Sequence, residues 1–115
     1  MKRKEIRVGL IGFGTIGSGV VKVLQRNAAL IEKRMGARLV LKKIADVDTV
    51  SDRGVKVRPG LLTKNVEEVL CAPEIDIVME LIGGIEPAKT FVLHAIRNKK
   101  HVVTANKALL ATCGN

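Results

Sequence analysis

At 115 residues, with 47% apolar side chains and no aromatic beyond two Phe, the chain has room for one domain with a core of Val, Ile, Leu and Ala. That apolar share excludes disorder, and no apolar run approaches the roughly 20 residues of a membrane span. The formal charge of +9 raises nucleic acid as a partner, but Lys2, Arg3, Lys4, Lys42, Lys43, Lys99 and Lys100 are scattered. With no aromatic ring interleaved for base stacking, the charge reads as a solvated surface rather than a nucleic-acid site.

The basic start Met1 to Glu5 precedes an apolar stretch too short for a signal peptide, so a cytoplasmic protein is expected. Ile6 to Ile11 is a β-branched run that ends at a glycine cluster and reads as a buried strand. Apolar residues then recur near the helical period at Ile16, Val20, Leu24, Ile31 and Met35. They predict one long helix from Thr15 to Met35, stopped by Gly36. Leu39 to Ala45 is a second strand ending at Asp46, and the polar stretch Val47 to Pro59 is a loop.

Thr63 is placed to cap a short helix carrying Val66, Val69 and Leu70, with Pro73 stopping it. Ile75 to Ile82 is a further strand, closed by Gly83 and Gly84. Pro87 suits the first turn of a helix with apolar positions at Phe91, Val92, Ala95 and Ile96. His101 to Ala105 is the next strand, and Asn106 caps a last helix ending near Gly114. Strands and helices alternate throughout residues 1–115. That order predicts a single α/β domain: a Rossmann-like, doubly wound, mostly parallel sheet with helices on both faces.

Gly12-Phe13-Gly14-Thr15-Ile16-Gly17 matches G-x-G-x-x-G. The pattern alone is weak, but here it follows a predicted strand and opens a predicted helix, as a dinucleotide site requires. Gly12 permits the tight turn, Gly14 removes a Cβ where a pyrophosphate approaches the backbone, and Gly17 lets the helix pack close. The helix start then offers N–H groups and about half a positive charge to the phosphates. Asp46 is positioned to accept both hydroxyls of an adenosine ribose, or is simply a polar strand terminus. Asp48 adds a second carboxylate in favour of NAD, while Arg53, Lys56 and Arg58 in the following loop offer cations for the 2′-phosphate of NADP. The balance slightly favours NAD.

Cys71 and Cys113 form no C-x-x-C pair, which excludes a zinc ribbon on spacing, and both are expected to be buried free thiols. His94 and His101 have no carboxylate or Cys at ligand spacing along the chain and read as structural. No metal site is expected.

With these elements in hand, Asp76 to Ala88 and His101 to Leu110 closely resemble homoserine dehydrogenase, and Gly12 to Val21 is similar to that family's first loop and helix. The Thr-Ala-Asn-Lys-Ala-Leu segment at 104–109 is the most specific part, and the resemblance covers nearly the whole chain in order. It implies hydride transfer between NADH or NADPH and aspartate semialdehyde, giving homoserine on the way to threonine and methionine. It also implies pyrophosphate contacts from Gly12, Phe13, Gly14, Thr15 and Ile16. Gly83 and Gly84 then lie where the nicotinamide half passes, and Lys107 lies near cofactor and substrate. In the family a second domain carries the substrate-binding carboxylates and the proton-donating lysine. These 115 residues hold the cofactor half only, and are expected to be inactive alone and to belong to a homo-oligomer when complete. Two other readings stay open: an NAD(H)-sensing regulatory module, and the cofactor domain of another oxidoreductase with the same fold.

Overall fold

The computed structural model describes residues 4–82 and 86–104. Along the chain they form β1 (Lys4–Ile11), α1 (Thr15–Arg26), α2 (Ala28–Met35), β2 (Ala37–Ala45), β3 (Leu62–Thr63), α3 (Glu67–Leu70), β4 (Ile77–Glu80), α4 (Ala88–Arg97) and β5 (His101–Thr104). The five strands lie in the order β3-β2-β1-β4-β5, and every pairing is parallel. From β1 the chain winds outward through β2 to β3, then returns to the other side of β1 as β4. The switch of direction falls between β1 and β4, where open parallel sheets leave a crevice at their carboxyl edge.

Alternation along the strands builds two cores. Ile6, Val8 and Leu10 of β1 and Ile77, Met79 and Leu81 of the β4 segment face one side, beneath Val20 and Val21 of α1. Ile11 and Val78 face the other, against Val69 and Leu70 of α3 and Phe91 and Ala95 of α4. Leu10, Val21, Val69 and Leu70 are wholly buried, each contributing about 1.5–3 kcal/mol by leaving water. Helices therefore cover both faces, as the alternation predicts. The loop over residues 46–61 does the work of a crossover helix on the first face, inserting Val55, Val57 and Leu61 into that core.

Gly9 is the tightest point of the second face. A Cβ there would lie 2.8 Å from Val69 Cγ1 and 2.9 Å from Ile75 Cδ1, so its missing side chain is what lets α3 and the segment before β4 settle onto the sheet.

Several elements depart from the periodicity reading. The long helix divides at Asn27, whose backbone leaves helical geometry (φ −112°, ψ 18°). Its side-chain Nδ2 donates to the Val23 carbonyl at 3.1 Å, beside its own N–H at 3.0 Å. A side-chain amide that competes for a helical carbonyl favours such a break. Gly36 ends α2 in the left-handed region (φ 68°), as expected.

The face of α1 toward the sheet is Gly17, Ser18 and Val21, not the larger apolar stripe. Ile16 is 57% exposed, because α1 lies too close to the sheet for a bulky side chain there, and Met35, at the end of α2, is exposed as well. Ile96 on α4 is likewise exposed. β2 starts earlier than expected, at Ala37, and carries a bulge: Val8 pairs with Leu41 but Gly9 pairs with Lys43, leaving Lys42 as an extra residue. The bulge shifts the alternation, so Leu39, Leu41 and Ile44 join the same core despite their odd spacing.

Thr63 lies in β3, a strand of two residues that periodicity did not reveal. Its Oγ1 accepts from Asn65 N–H and donates to Glu68, while Asn65 Oδ1 takes the Glu67 N–H at 3.1 Å and so caps the α3 turn. β4 covers Ile77–Glu80, shorter than expected at both ends. Ala105 and the expected helix from Asn106 lie outside the described residues.

The amino edge of the sheet is closed by internal pairing. Asp76 accepts from Arg7 through backbone N–H (2.8 Å), Nε (3.2 Å) and Nη2 (3.3 Å), and these bonds hold its carboxyl below the usual carboxylate range. Lys99 takes a left-handed turn (φ 62°), after which Lys100 is buried with Nζ donating to the carbonyls of Ala72 and Ile75. Asn98 Nδ2 donates to the Leu70 carbonyl at 2.7 Å, tying the end of α4 to α3.

Candidate functional site

At the carboxyl edge, the turn from β1 into α1 divides its six residues between two tasks. Gly12, Phe13 and Gly17 build the turn. Gly12 takes φ +106°, a region only glycine enters readily, and its N–H donates to the Ala45 carbonyl at 2.8 Å. A Cβ on Gly17 would sit 2.1 Å from the Gly12 oxygen, so α1 starts here only because that side chain is missing. The Phe13 ring is buried in the first core, 3% exposed, and its amide donates to Asp46 Oδ2 at 2.6 Å.

Gly14, Thr15 and Ile16 form the outward half. Gly14 is the N-cap of α1 with ordinary backbone (φ −77°), and a Cβ there would meet no atom within 4 Å. A glycine has no side chain to cap the helix, and no acidic residue lies in the first turn. The positive end of the helix dipole and its first N–H groups therefore face outward uncompensated by the helix's own carboxylates. Thr15 and Ile16 flank this opening and are exposed. The cradle is of the kind a phosphate fills and a side chain on Gly14 would occupy.

Asp46 follows β2 directly and lies against this turn, its Oδ1 accepting from Asp48 N–H at 2.8 Å while Oδ2 holds Phe13. One carboxylate thus joins the glycine turn to the end of the neighbouring strand. Asp48 is turned into its own loop. It accepts from the N–H groups of Val50 and Ser51 and from Arg53 Nη2, each at 3.0 Å. Its bonds to Ser51 above all, then Val50 and the Arg53 charge, depress its pKa strongly. The basic loop is fastened too: Arg58 donates to the Leu41 carbonyl and Gln25 on α1 to the Lys56 carbonyl.

Glu80 is a residue that sequence reasoning passed over. It ends β4, is fully buried, and accepts from Ile82 N–H and Thr104 Oγ1, each at 2.6 Å. It ties the chain leaving β4 to the end of β5, beside the switch point. A Glu among the apolar residues Ile77 to Ile82 was the available signal. Gly83, Gly84 and Lys107 lie outside the described residues. A cavity of about 620 Å³ lies elsewhere, between α1–α2 and β2 and lined by Leu24, Ile31, Leu39 and Leu61. It is lined by none of the residues of the glycine turn.

Away from this edge, the fold brings Cys71 and Glu67 against His94, which spacing along the chain did not reveal. Cys71 is exposed, correcting the expectation of a buried thiol. It donates to Glu67 Oε2, and that bond to a carboxylate raises the thiol pKa. Cys113 lies outside the described residues, and no described helix is long and apolar enough to cross a membrane.

Comparison with known proteins places these features in one group. The family described as homoserine dehydrogenase, NAD binding domain, matches residues 12–114. Homoserine dehydrogenase of Bacillus subtilis (strain 168) is 44% identical over 112 residues, covering 97% of this chain and 26% of that protein. The crystal structure of a homoserine dehydrogenase from Thiobacillus denitrificans superposes with a TM-score of 0.86 at 49% identity, covering 96% of this chain and 26% of that one. An S. aureus homoserine dehydrogenase structure gives 0.85 at 40% identity, covering 95% and 28%. The chain thus spans about a quarter of the length of these relatives.

Proposed function

The chain belongs to the homoserine dehydrogenase family, as its NAD-binding domain, and from that premise we propose how its residues hold the cofactor and what the complete enzyme does. Gly14, Thr15 and Ile16 receive the pyrophosphate at the start of α1, while Gly12, Phe13 and Gly17 hold the turn in shape. Asp46 accepts the adenosine ribose hydroxyls through lone pairs not used by Phe13 and Asp48. Gly83, Gly84 and Lys107 line the nicotinamide half. Glu80 orients the strand ends on either side of it. Bound there, the nicotinamide supplies or accepts a hydride.

The observation that carries this reading is the open Gly14 cradle at a helix start, fixed by a Gly17 that has no room for a Cβ. In the complete homo-oligomeric enzyme the reaction is the interconversion of L-aspartate 4-semialdehyde and L-homoserine. This domain supplies the hydride carrier, while the alcohol and its proton acceptor must be held from outside it. The chain alone therefore gives no turnover.

Gly14→Val tests the site cleanly, because Gly14 has ordinary φ and open space around it. NADH affinity, followed by fluorescence titration, should fall by at least about 100-fold, the lower end for two lost charge-assisted hydrogen bonds. The melting temperature should stay within about 2 °C. Unchanged affinity would remove the turn as the phosphate site.

For the choice between cofactors, Asp46 favours the free 2′-hydroxyl of NAD. Asp48 and Arg53 largely neutralise each other within their loop, so neither decides the matter. NADH should bind at least as tightly as NADPH. Asp46→Asn, which keeps an acceptor for Phe13, should move preference toward NADPH. Tighter NADPH binding by the unaltered chain at physiological salt would reverse this ranking.

A further inference from the structure

We propose that Glu67, Cys71 and His94 form a binding site for one divalent transition ion of the zinc class, separate from the cofactor site. Glu67 opens α3, Cys71 follows its last residue, and His94 lies in the last turn of α4. One ligand atom from each lies within 4.8 Å of the other two. Cys71 Sγ is 2.8 Å from Glu67 Oε2 and 3.9 Å from His94 Nε2, and His94 Nδ1 is 3.9 Å from Glu67 Oε1.

Zinc–sulfur, zinc–nitrogen and zinc–oxygen bonds of about 2.0–2.3 Å in a tetrahedron separate neighbouring donors by roughly 3.5 Å. The thiol–carboxylate contact is shorter than that, and the two 3.9 Å contacts run to opposite ring nitrogens of His94, only one of which binds the ion; side-chain rotation closes the remaining separation from within 4.8 Å. Glu67 and Cys71 are one helical turn apart on exposed positions, free of packing that would resist such rotation.

The donor set selects the ion. Thiolate with imidazole and a single carboxylate suits zinc and its neighbours, whereas calcium and magnesium take oxygen ligands. On binding, the Sγ–H bond breaks, the proton passes to solvent, and the sulfur lone pair joins the metal. The Glu67 oxygen and a neutral His94 nitrogen donate without other change, and water takes the fourth position. Nearby groups do not compete for the ion. Glu68 is engaged by Thr63 and Lys43 and Lys100 by the Ala72 and Ile75 carbonyls, while Asn98 Nδ2 donates to the Leu70 carbonyl and also to Cys71 Sγ at 3.9 Å, a contact that a thiolate keeps as acceptor.

Crossover helices run against the strands, so the end of α3 and the end of α4 lie toward the amino edge, away from the glycine turn. The role implied is a clamp. α3 is a single turn of four residues, too short to persist without tertiary support, and the ion would fasten it to α4.

Cobalt titration of the reduced 115-residue chain tests this directly. One Co²⁺ per chain should give a thiolate-to-cobalt charge-transfer band that Zn²⁺ displaces. The band should vanish in C71S, persist in C113S, and need at least about tenfold more Co²⁺ in H94A and E67Q. Zn²⁺ should raise the melting temperature of the wild type and not of C71S, with circular dichroism verifying that the variants stay folded. The proposal is overturned if the reduced wild type gives no band, if the band follows Cys113 rather than Cys71, or if all three ligand variants bind within about twofold of wild type.

Discussion

The two edges of the sheet differ in what they leave unpaired, although Asp46 and Glu80 at the carboxyl edge also have partners within the chain. At the amino edge the charges find partners inside the chain: Arg7 with Asp76, and the buried Lys100 with the Ala72 and Ile75 carbonyls. At the carboxyl edge glycines replace side chains, and the start of α1 points outward with neither a capping side chain nor an acidic first turn. One edge closes the fold; the other is shaped for an anion. The contrast separates residues that hold the domain together from residues that serve a ligand, and substitutions on each edge should fail differently.

The largest effect is expected at Gly17. Gly17→Ala places a Cβ on the Gly12 carbonyl, so backbone rather than a flexible tip must move. We expect a loss of at least about 3 kcal/mol in urea unfolding, at or above the upper end for overpacking, together with loss of dinucleotide binding. A variant that kept full stability would show that the carboxyl edge is less tightly built than its geometry implies.

Lys100→Met comes next. It removes the donor from the buried Ile75 carbonyl and the half-buried Ala72 carbonyl, for which about 1–3 kcal/mol is expected, with NADH affinity unchanged. A fall in cofactor affinity without loss of stability would break the division between the edges.

Asp76→Asn should have the smallest effect. Its folded pKa is depressed, so the carboxylate's contribution is complete above the ordinary aspartate value near 3.9 and is lost as pH falls through the lower folded value. Wild type should exceed the variant at neutral pH, and the two should converge as acid protonates Asp76. Salt should narrow the gap, since both side chains of the pair are partly exposed. A gap that widened in acid would contradict the pairing.

What periodicity revealed, and what it hid, follows the same physics. Buried parallel strands are largely apolar runs, so β1 and β4 were legible; β5, which is partly exposed, was legible from its β-branched Val102-Val103-Thr104. The glycine turn was legible because Gly12 and Gly17 answer local steric demands while Gly14 leaves open space. β3 escaped because two residues carry no period. The division at Asn27 escaped because the apolar spacing continues across it, while a side-chain amide breaks the helix. The buried face of α1 was misjudged because close packing places glycine and serine where bulky residues were expected. Glu80 was hidden by its apolar neighbours, since its partner Thr104 arrives from another strand. The meeting of Glu67, Cys71 and His94 was hidden for the same reason: α3 and α4 touch only once the chain has folded.

The bulge in β2 leaves that strand with slack. Leu41 and Ile44 stand three residues apart yet face one core, because Lys42 is carried outside the pairing. A chain one lysine shorter would regain strict alternation and still point Leu39, Leu41 and Ile44 the same way, whereas one residue more would turn Ile44 and Ala45 over. The strand that leads to Asp46 thus tolerates a change of length in one direction only. Drift by deletion would leave the carboxylate at the strand end beside the glycine turn, and drift by insertion would carry it to the wrong face.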